Sequence, residues 1–582
     1  MKNDRHDIII ERNVDCPMRD GTILRGDLYR RADGAPGPAL VHRTPYGKMH
    51  PTYVTSLMIH PFDAVERGYA LYVQDVRGRF TSDGEWTPFH CEKDDGYDTI
   101  EWAAMQSWCN GKVGIYGSSY MGVTAGQALA ARPPHLGAAA LYLTGTNYYD
   151  GFVYSGGAFE LVFMMRWFAA QALDTLKRGV LQGEALDAAR DRLMWIIDNP
   201  AEASKFRPLI DVFGPADPLL PHWKAILSHP DYDDFWKSVN PNDAIAQSRA
   251  PVLNIAGWYD GFLKGHLDVH AAIAGARRSG KPSPVEHFMI GPWDHESYIS
   301  LRPSSAGDAF FGSVALGGQP GLGQTILGWF DRWLKGDEIP DAARDSGVRY
   351  FVMGANEWRK SADWPPSSSI QRTYFLSGGP ANSSAGQGLL QTPSPGAVTV
   401  DRFIHDPANP VQTVGGRHLG YWHGHAGVLN QSVVETRHDV LVYTTPPLDE
   451  PITITGSVEA ELFVRCTAKS ADFALKLVDV RPDGYCANIV DGIRRVRWDE
   501  APDAEGQAKR VTVELWDTAY VVPAGNRLRL EIAGSNSPRF DINDGHGGDW
   551  NLTSGLPAAA FEQQVLGGGA WASKISIQTA AD

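Results

Sequence analysis

Up to about residue 145, short apolar runs rich in β-formers alternate with one helical stripe. Residues 7–12 and 22–30 read as strands, and 39–43 and 68–74 read so more clearly. Tyr97, Ile100, Ala104 and Trp108 then share a helical face, and residues 113–116 and 138–143 are further strands. A βαβ series of this kind implies a mainly parallel sheet. From Tyr148 to about Asn240 the β signal stops, and residues 159–176 and 184–197 carry helical apolar spacing. Strand and helix signals return over 241 to about 340, with strands at 251–256 and 286–290 and a helix at 325–334. Beyond about 345, residues 458–464, 474–480, 511–516 and 527–532 form β-rich runs separated by Gly, Pro, Asn and Asp. The pattern predicts an α/β domain over 1–145 and 241–344, a helical insertion over 146–240, and an all-β domain over 345–582. The Ser/Gly/Pro-rich stretch 376–397 reads as an exposed loop or connection.

At 582 residues the chain is too long for one compact core, and 43% hydrophobic content with 61 Gly and 38 Pro suits a loop-rich globular protein. A net charge of −15 argues against nucleic acid or an anionic membrane as partner. Five scattered cysteines offer no zinc-site spacing and no disulfide framework, so neither a metal nor another cofactor is expected. Neither a signal peptide nor an apolar run of membrane-spanning length stands in the sequence, which makes a cytoplasmic location the default expectation. The oligomeric state is open, a homo-oligomer included.

The chemistry concentrates in Gly117-Ser118-Ser119-Tyr120-Met121-Gly122. A strand runs into a Gly-flanked serine and a helix-forming run follows, the layout of a nucleophile elbow. Ser119 has Gly117 at minus two, whereas Ser118 has the bulky Tyr116 there, so steric logic selects Ser119. Met121 stands at plus two, where Gly is common, and Gly122 stands at plus three. A serine nucleophile needs a base and an orienting carboxylate, in the chain order Ser, acid, His for this layout. Asp260 lies at the tip of the strand that ends Gly257-Trp258-Tyr259, and His295 follows a second strand on Gly291-Pro292-Trp293-Asp294. Both fall just past a strand's carboxyl end, where open α/β sheets place their sites. Asp268 and Asp294 are rival acids, and His287 reads as structural.

These three segments, with Arg43-Thr44-Pro45-Tyr46-Gly47-Lys48 and Gln74-Asp75-Val76-Arg77-Gly78-Arg79, resemble the motifs of the cocaine esterase/NonD hydrolases. That group is related to Xaa-Pro dipeptidyl peptidases, glutaryl-cephalosporin acylases and α-amino acid ester hydrolases. The resemblance implies an α/β-hydrolase domain with a helical cap and a C-terminal jelly-roll β-sandwich. It also implies an oxyanion hole made by the Tyr46 hydroxyl and the Tyr120 N–H. Trp167 and Phe168 from the cap, Phe262 after the acid and Leu419 from the β region are expected to bind substrate. Asp75, Arg77 and Asp83 are expected to shape the loop beneath. The expectation is a serine hydrolase that cleaves aryl or bulky acyl esters of a small-molecule substrate through an acyl-enzyme. Amidase, β-lactam acylase, α-amino acid ester hydrolase and Xaa-Pro dipeptidyl peptidase are the alternatives on this scaffold. The chain begins almost directly at its α/β domain, which speaks against the Xaa-Pro peptidase, and five motif segments speak against a non-catalytic binding protein.

Overall fold

Continuous apolar runs form the middle of a ten-stranded sheet, because a strand covered on both faces has no polar side to present. The computed structural model describes residues 7–50, 59–297, 304–316, 321–337, 347–419, 424–498, 508–548 and 558–581. The strands are β1 (Ile8–Pro17), β2 (Ile23–Arg31), β3 (Gly37–Thr44), β4 (Ala70–Asp75) and β5 (Cys109–Ser118). They continue with β6 (Leu136–Tyr142), β7 (Val252–Tyr259), β8 (Glu286–Asp294), β9 (Gly347–Val352) and β10 (Glu357–Ser361). Their spatial order is β1-β2-β4-β3-β5-β6-β7-β8-β9-β10. From β4 to β9 neighbours run parallel, with antiparallel pairs at both edges. Strands β7 and β8 are buried along their whole length, and Ile255 lies opposite Met289. That register brings the residues after both strands to one edge of the sheet.

Helices α1 (Glu92–Ala104) and α2 (Ser119–Ala131) cover the sheet beside β5. Between β6 and β7 the chain leaves the sheet to build a cap from α3 (Leu161–Thr175), α4 (Gly183–Asp198) and several shorter helices. The cap packs on an apolar core that it shares with Phe89, Tyr120 and Val123 of the α/β domain, and to which α3 gives Leu161, Met164 and Phe168 and α4 gives Leu193 and Ile196. A further helix, Leu322–Phe330, packs below the sheet through Trp329 and Phe330.

Two expectations need correcting. The sheet continues past the expected boundary at 344/345, since β9 pairs with β8 and β10 extends the edge to Ser361. A local β pattern does not say which sheet a strand joins. The stretch 376–397 is not one exposed loop: it holds the end of strand Ile370–Gly378 and all of strand Gly388–Gln391. Leu376, Ala381 and Leu390 are buried in the β-domain core, so apolar anchors override the loop-like composition between them. Among the described residues, the C-terminal domain joins ten strands in one hydrogen-bonded path, and an eleventh, Lys509–Val522, pairs off that path with Ile452–Cys466 over a shared core. The cap is pinned to it by a buried Arg539–Glu160 ion pair at 3.1 Å and by the Leu161 N–H, which donates to the Arg539 carbonyl at 2.8 Å.

Candidate active site

Ser119 is the first residue of α2 and has φ +50°, a left-handed conformation that costs a non-glycine residue on the order of 1–3 kcal/mol. The surroundings enforce it. Its N–H donates to the Leu143 carbonyl at 3.0 Å, and its carbonyl accepts from the Thr144 hydroxyl at 2.6 Å. A Cβ on Gly117 would lie 2.1 Å from the Met121 carbonyl oxygen, and one on Gly122 would lie 2.4 Å from the Thr144 side chain. The elbow therefore closes only with glycine at minus two and plus three. At plus two, Met121 borders the cavity in front of the serine.

The three residues selected as a triad meet. His295 Nε2 lies 3.1 Å from Ser119 Oγ, and His295 Nδ1 lies 3.0 Å from Asp260 Oδ2. Asp260 is fully buried, and its other oxygen accepts the Phe262 N–H at 2.7 Å. Burial of the His295 ring works against its charge, but Asp260, Glu296 and Asp294 together outweigh it, so the pKa stands above the ordinary histidine value. The rivals are used elsewhere: Asp268 pairs with Lys264 at 2.6 Å, and Asp294 accepts from the Ser297 hydroxyl at 2.8 Å. His287 is buried at the start of β8.

Tyr46 follows β3 at the same sheet edge. Its hydroxyl accepts the Trp167 Nε1–H at 3.0 Å, and Tyr46 borders the same cavity as Ser119. Desolvation pushes its pKa up to about 12, so it is a protonated donor at neutral pH. Arg79 ties the Tyr46 turn to the cap, donating to the Pro45 carbonyl at 3.0 Å and the Gln171 carbonyl at 2.9 Å. Beneath the turn, Asp75 pairs with Lys48 at 2.8 Å, Arg77 with Asp95 at 2.6 Å and Asp83 with Arg25 at 2.6 Å. The Tyr120 N–H lies in the first turn of α2, whose unsatisfied amides and dipole favour negative charge.

Residues 20–297 match the X-Pro dipeptidyl-peptidase (S15) family, and residues 340–569 match the X-Pro dipeptidyl-peptidase C-terminal non-catalytic domain. The cocaine esterase of Rhodococcus sp. (strain MB1 Bresler) is 34% identical over 92% of this chain and 92% of its own length. The chain belongs to the cocaine esterase/NonD family. This CocE/NonD protein is thus a serine hydrolase of carboxylic esters. Its fold is shared with an aminopeptidase from a Thaumarchaeota archaeon (TM-score 0.79, 23% identity, 100% of this chain and 98% of the other). An α-amino acid ester hydrolase is similar in the same way (TM-score 0.76, 22% identity, 100% and 98% covered). A Staphylococcus aureus CocE/NonD hydrolase aligns at TM-score 0.67 with 18% identity, covering 98% and 94%.

In this CocE/NonD hydrolase a cavity of about 1040 Å³ opens at Ser119 and His295 between the sheet edge and the cap. Trp167 and Leu419 border it. Phe168 and Phe262 do not, and the structure corrects both. Phe168 turns into the cap core against Trp223, with ring centroids 5.6 Å apart. Phe262 stacks on Phe152 at 4.3 Å and meets the His295 ring edge-on at 5.0 Å, so it backs that imidazole. Helix phase and strand-end geometry decide such facings, and neither follows from residue type. The sequence reading missed Phe163, Asp174 and Glu296 on the lining. For the first two the signal was present: Phe163, Trp167, Gln171 and Asp174 recur at three and four, one face of α3. Asp174 lies 3.8 Å from both Arg79 and Arg178 and accepts the Phe80 N–H at 3.2 Å.

Proposed function

We propose that Ser119 is the nucleophile, His295 the general base and acid, and Asp260 the carboxylate that orients the imidazole. The unbroken line Asp260–His295–Ser119, with contacts of 3.0 and 3.1 Å, carries this reading. Ser119 Oγ attacks the ester carbonyl while its proton passes to His295 Nε2. Negative charge then develops on the carbonyl oxygen, stabilised by the Tyr46 hydroxyl and the Tyr120 N–H. The tetrahedral intermediate collapses as His295 returns the proton to the leaving alcohol. Water, deprotonated by the same imidazole, hydrolyses the acyl-enzyme. Asp260 keeps its charge throughout and holds Nδ1 protonated, so Nε2 faces the serine.

The apolar wall near Ser119, built from Met121, Leu143, Trp167 and Leu419, favours aryl or bulky uncharged acyl groups. The Rhodococcus relative is by name a cocaine esterase, which favours esters over amides. A fluorophosphonate probe tests the assignment. The unaltered enzyme and Ser118→Ala should label and hydrolyse aryl esters, and Ser119→Ala should do neither while keeping its fold. Labelling retained in Ser119→Ala would refute the assignment.

A further inference from the structure

We propose that Thr144 is a positioning residue for the oxyanion site, acting through the peptide between Ser119 and Tyr120, and that His266 holds Thr144 in place. The inference rests on the reading of Ser119 as nucleophile and the Tyr120 N–H as oxyanion donor. The Ser119 carbonyl and the Tyr120 N–H are opposite ends of one planar peptide unit. The Thr144 hydroxyl donates to that carbonyl at 2.6 Å, much nearer than its other acceptor, the Gly145 carbonyl at 3.4 Å. A donor at the carbonyl end fixes the tilt of the plane. It also withdraws electron density, which strengthens the N–H at the other end by about 10–30% in condensed-phase estimates.

Thr144 is itself held. Its N–H donates to His266 Nε2 at 2.8 Å, and both residues are fully buried. An imidazole nitrogen that accepts an N–H bears no proton, so the His266 proton sits on Nδ1 and is donated to Asn254 Oδ1. The Asn254 amide then donates to Glu286 Oε1 at 2.9 Å and to the His266 carbonyl at 3.2 Å. Glu286 Oε2 meets His270 Nδ1 at 2.7 Å. Every donor direction from the Ser119 carbonyl to Glu286 is thus set. Desolvation lowers the His266 pKa to about 4, so the tautomer persists through the working pH range. The elbow glycine at plus three now has a purpose. A Cβ on Gly122 would stand 2.4 Å from Thr144 Cβ, so glycine there is what lets Thr144 reach the peptide.

Thr144→Val keeps the shape and removes the hydroxyl. Outright loss of an oxyanion donor costs about 10²–10³ in kcat, whereas here the N–H remains and only its aim and strength fall, so the expected loss in kcat is about tenfold. KM for an aryl ester should stay within about twofold, because the interaction is made in the transition state. Phenylboronic acid, which forms a tetrahedral adduct on a serine hydroxyl, should bind weaker by the same factor as kcat/KM. The pH profile should not move, and Thr144→Ser should recover most of the loss. Thr144→Cys, measured in parallel, replaces the hydroxyl by a weak donor and should fall with the valine variant. A folded Thr144→Val or Thr144→Cys enzyme with kcat within about twofold of the parent would overturn the inference. So would an equal loss in Thr144→Ser, or boronate affinity unchanged while kcat falls. Turnover surviving in Ser119→Ala would instead overturn the reading underneath.

Discussion

Tyr46→Phe is the sharpest test of how the site stabilises charge, because it removes one oxygen and almost no volume. The Tyr46 hydroxyl accepts the Trp167 indole N–H at 3.0 Å, so its own proton is directed elsewhere, and Tyr46 borders the cavity that opens at Ser119. With a pKa pushed up to about 12 by burial, the phenol donates without being consumed as an acid. In the proposed mechanism the carbonyl oxygen gains charge in the transition state, and a Tyr46 donor's contribution would grow with it. Loss of one such donor is worth about 2.7–4 kcal/mol, or 10²–10³ in kcat. The ground-state effect is separate: the buried Trp167 N–H loses its acceptor, a stability cost of about 1–3 kcal/mol. Steady-state hydrolysis of a p-nitrophenyl ester gives kcat and KM, and thermal unfolding gives the stability change. Trp167→Phe is the control, since it breaks the same hydrogen bond while leaving the phenol in place. Tyr46→Phe should lose kcat with KM nearly constant, and Trp167→Phe should lose far less. A kcat loss below about fivefold in Tyr46→Phe would fall well short of a lost oxyanion donor and would reduce Tyr46 to a turn residue. An equal loss in both variants would assign the effect to packing.

The acid limb of kcat/KM should lie above the ordinary histidine pKa, because Asp260, Glu296 and Asp294 together outweigh the desolvation of His295. In Asp260→Asn the desolvation of the ring is opposed only by the weaker fields of Glu296 and Asp294, so the limb should move to lower pH as the rate falls by about 10⁴; an unmoved limb would show that another group sets it. His270, buried between Glu286 and Asp363 with Arg277 and Arg278 on the far side of Asp363, contributes through a different balance. Its burial lowers the pKa, but the two carboxylates raise it above the ordinary value, so its stabilisation is fully present below about pH 6.5 and is lost as pH rises through the higher native value. Thermal scans should accordingly show His270→Gln costing more at pH 6 than at pH 9, and equal costs would contradict the charged state. For specificity, phenylacetyl esters should outcompete phenylglycyl esters of the same alcohol at neutral pH, since an apolar wall leaves an ammonium without compensation for its lost hydration. Glu296, beside His295 on the lining, is where a reversed preference would originate, and Glu296→Gln would then abolish it.

Several features were legible in the chain because they are local. Runs buried on both faces announced β7 and β8, and helical spacing announced α3 and α4. The glycines around Ser119 announced the elbow, since only a turn with backbone packed against backbone excludes a Cβ at Gly117. The order Ser119, Asp260, His295 was readable because each follows a strand, and parallel strands deliver their ends to one edge. Facing and long-range pairing were not legible. Phe168 and Phe262 are aromatic neighbours of site residues, yet helix phase turns one into the cap core and strand-end geometry sets the other behind the imidazole. Strands β9 and β10 look like the β domain that follows, and only hydrogen bonding to β8 places them in the hydrolase sheet. Thr144, His266, Asn254 and Glu286 carry no motif at all. They lie 25 to 167 residues from Ser119, and β6, β7, α-helix Leu263–Arg278 and β8 must all be packed before their polar atoms meet. A side chain's type and spacing are written in the sequence, but the partner of a buried hydrogen bond exists only once the tertiary structure has closed around it.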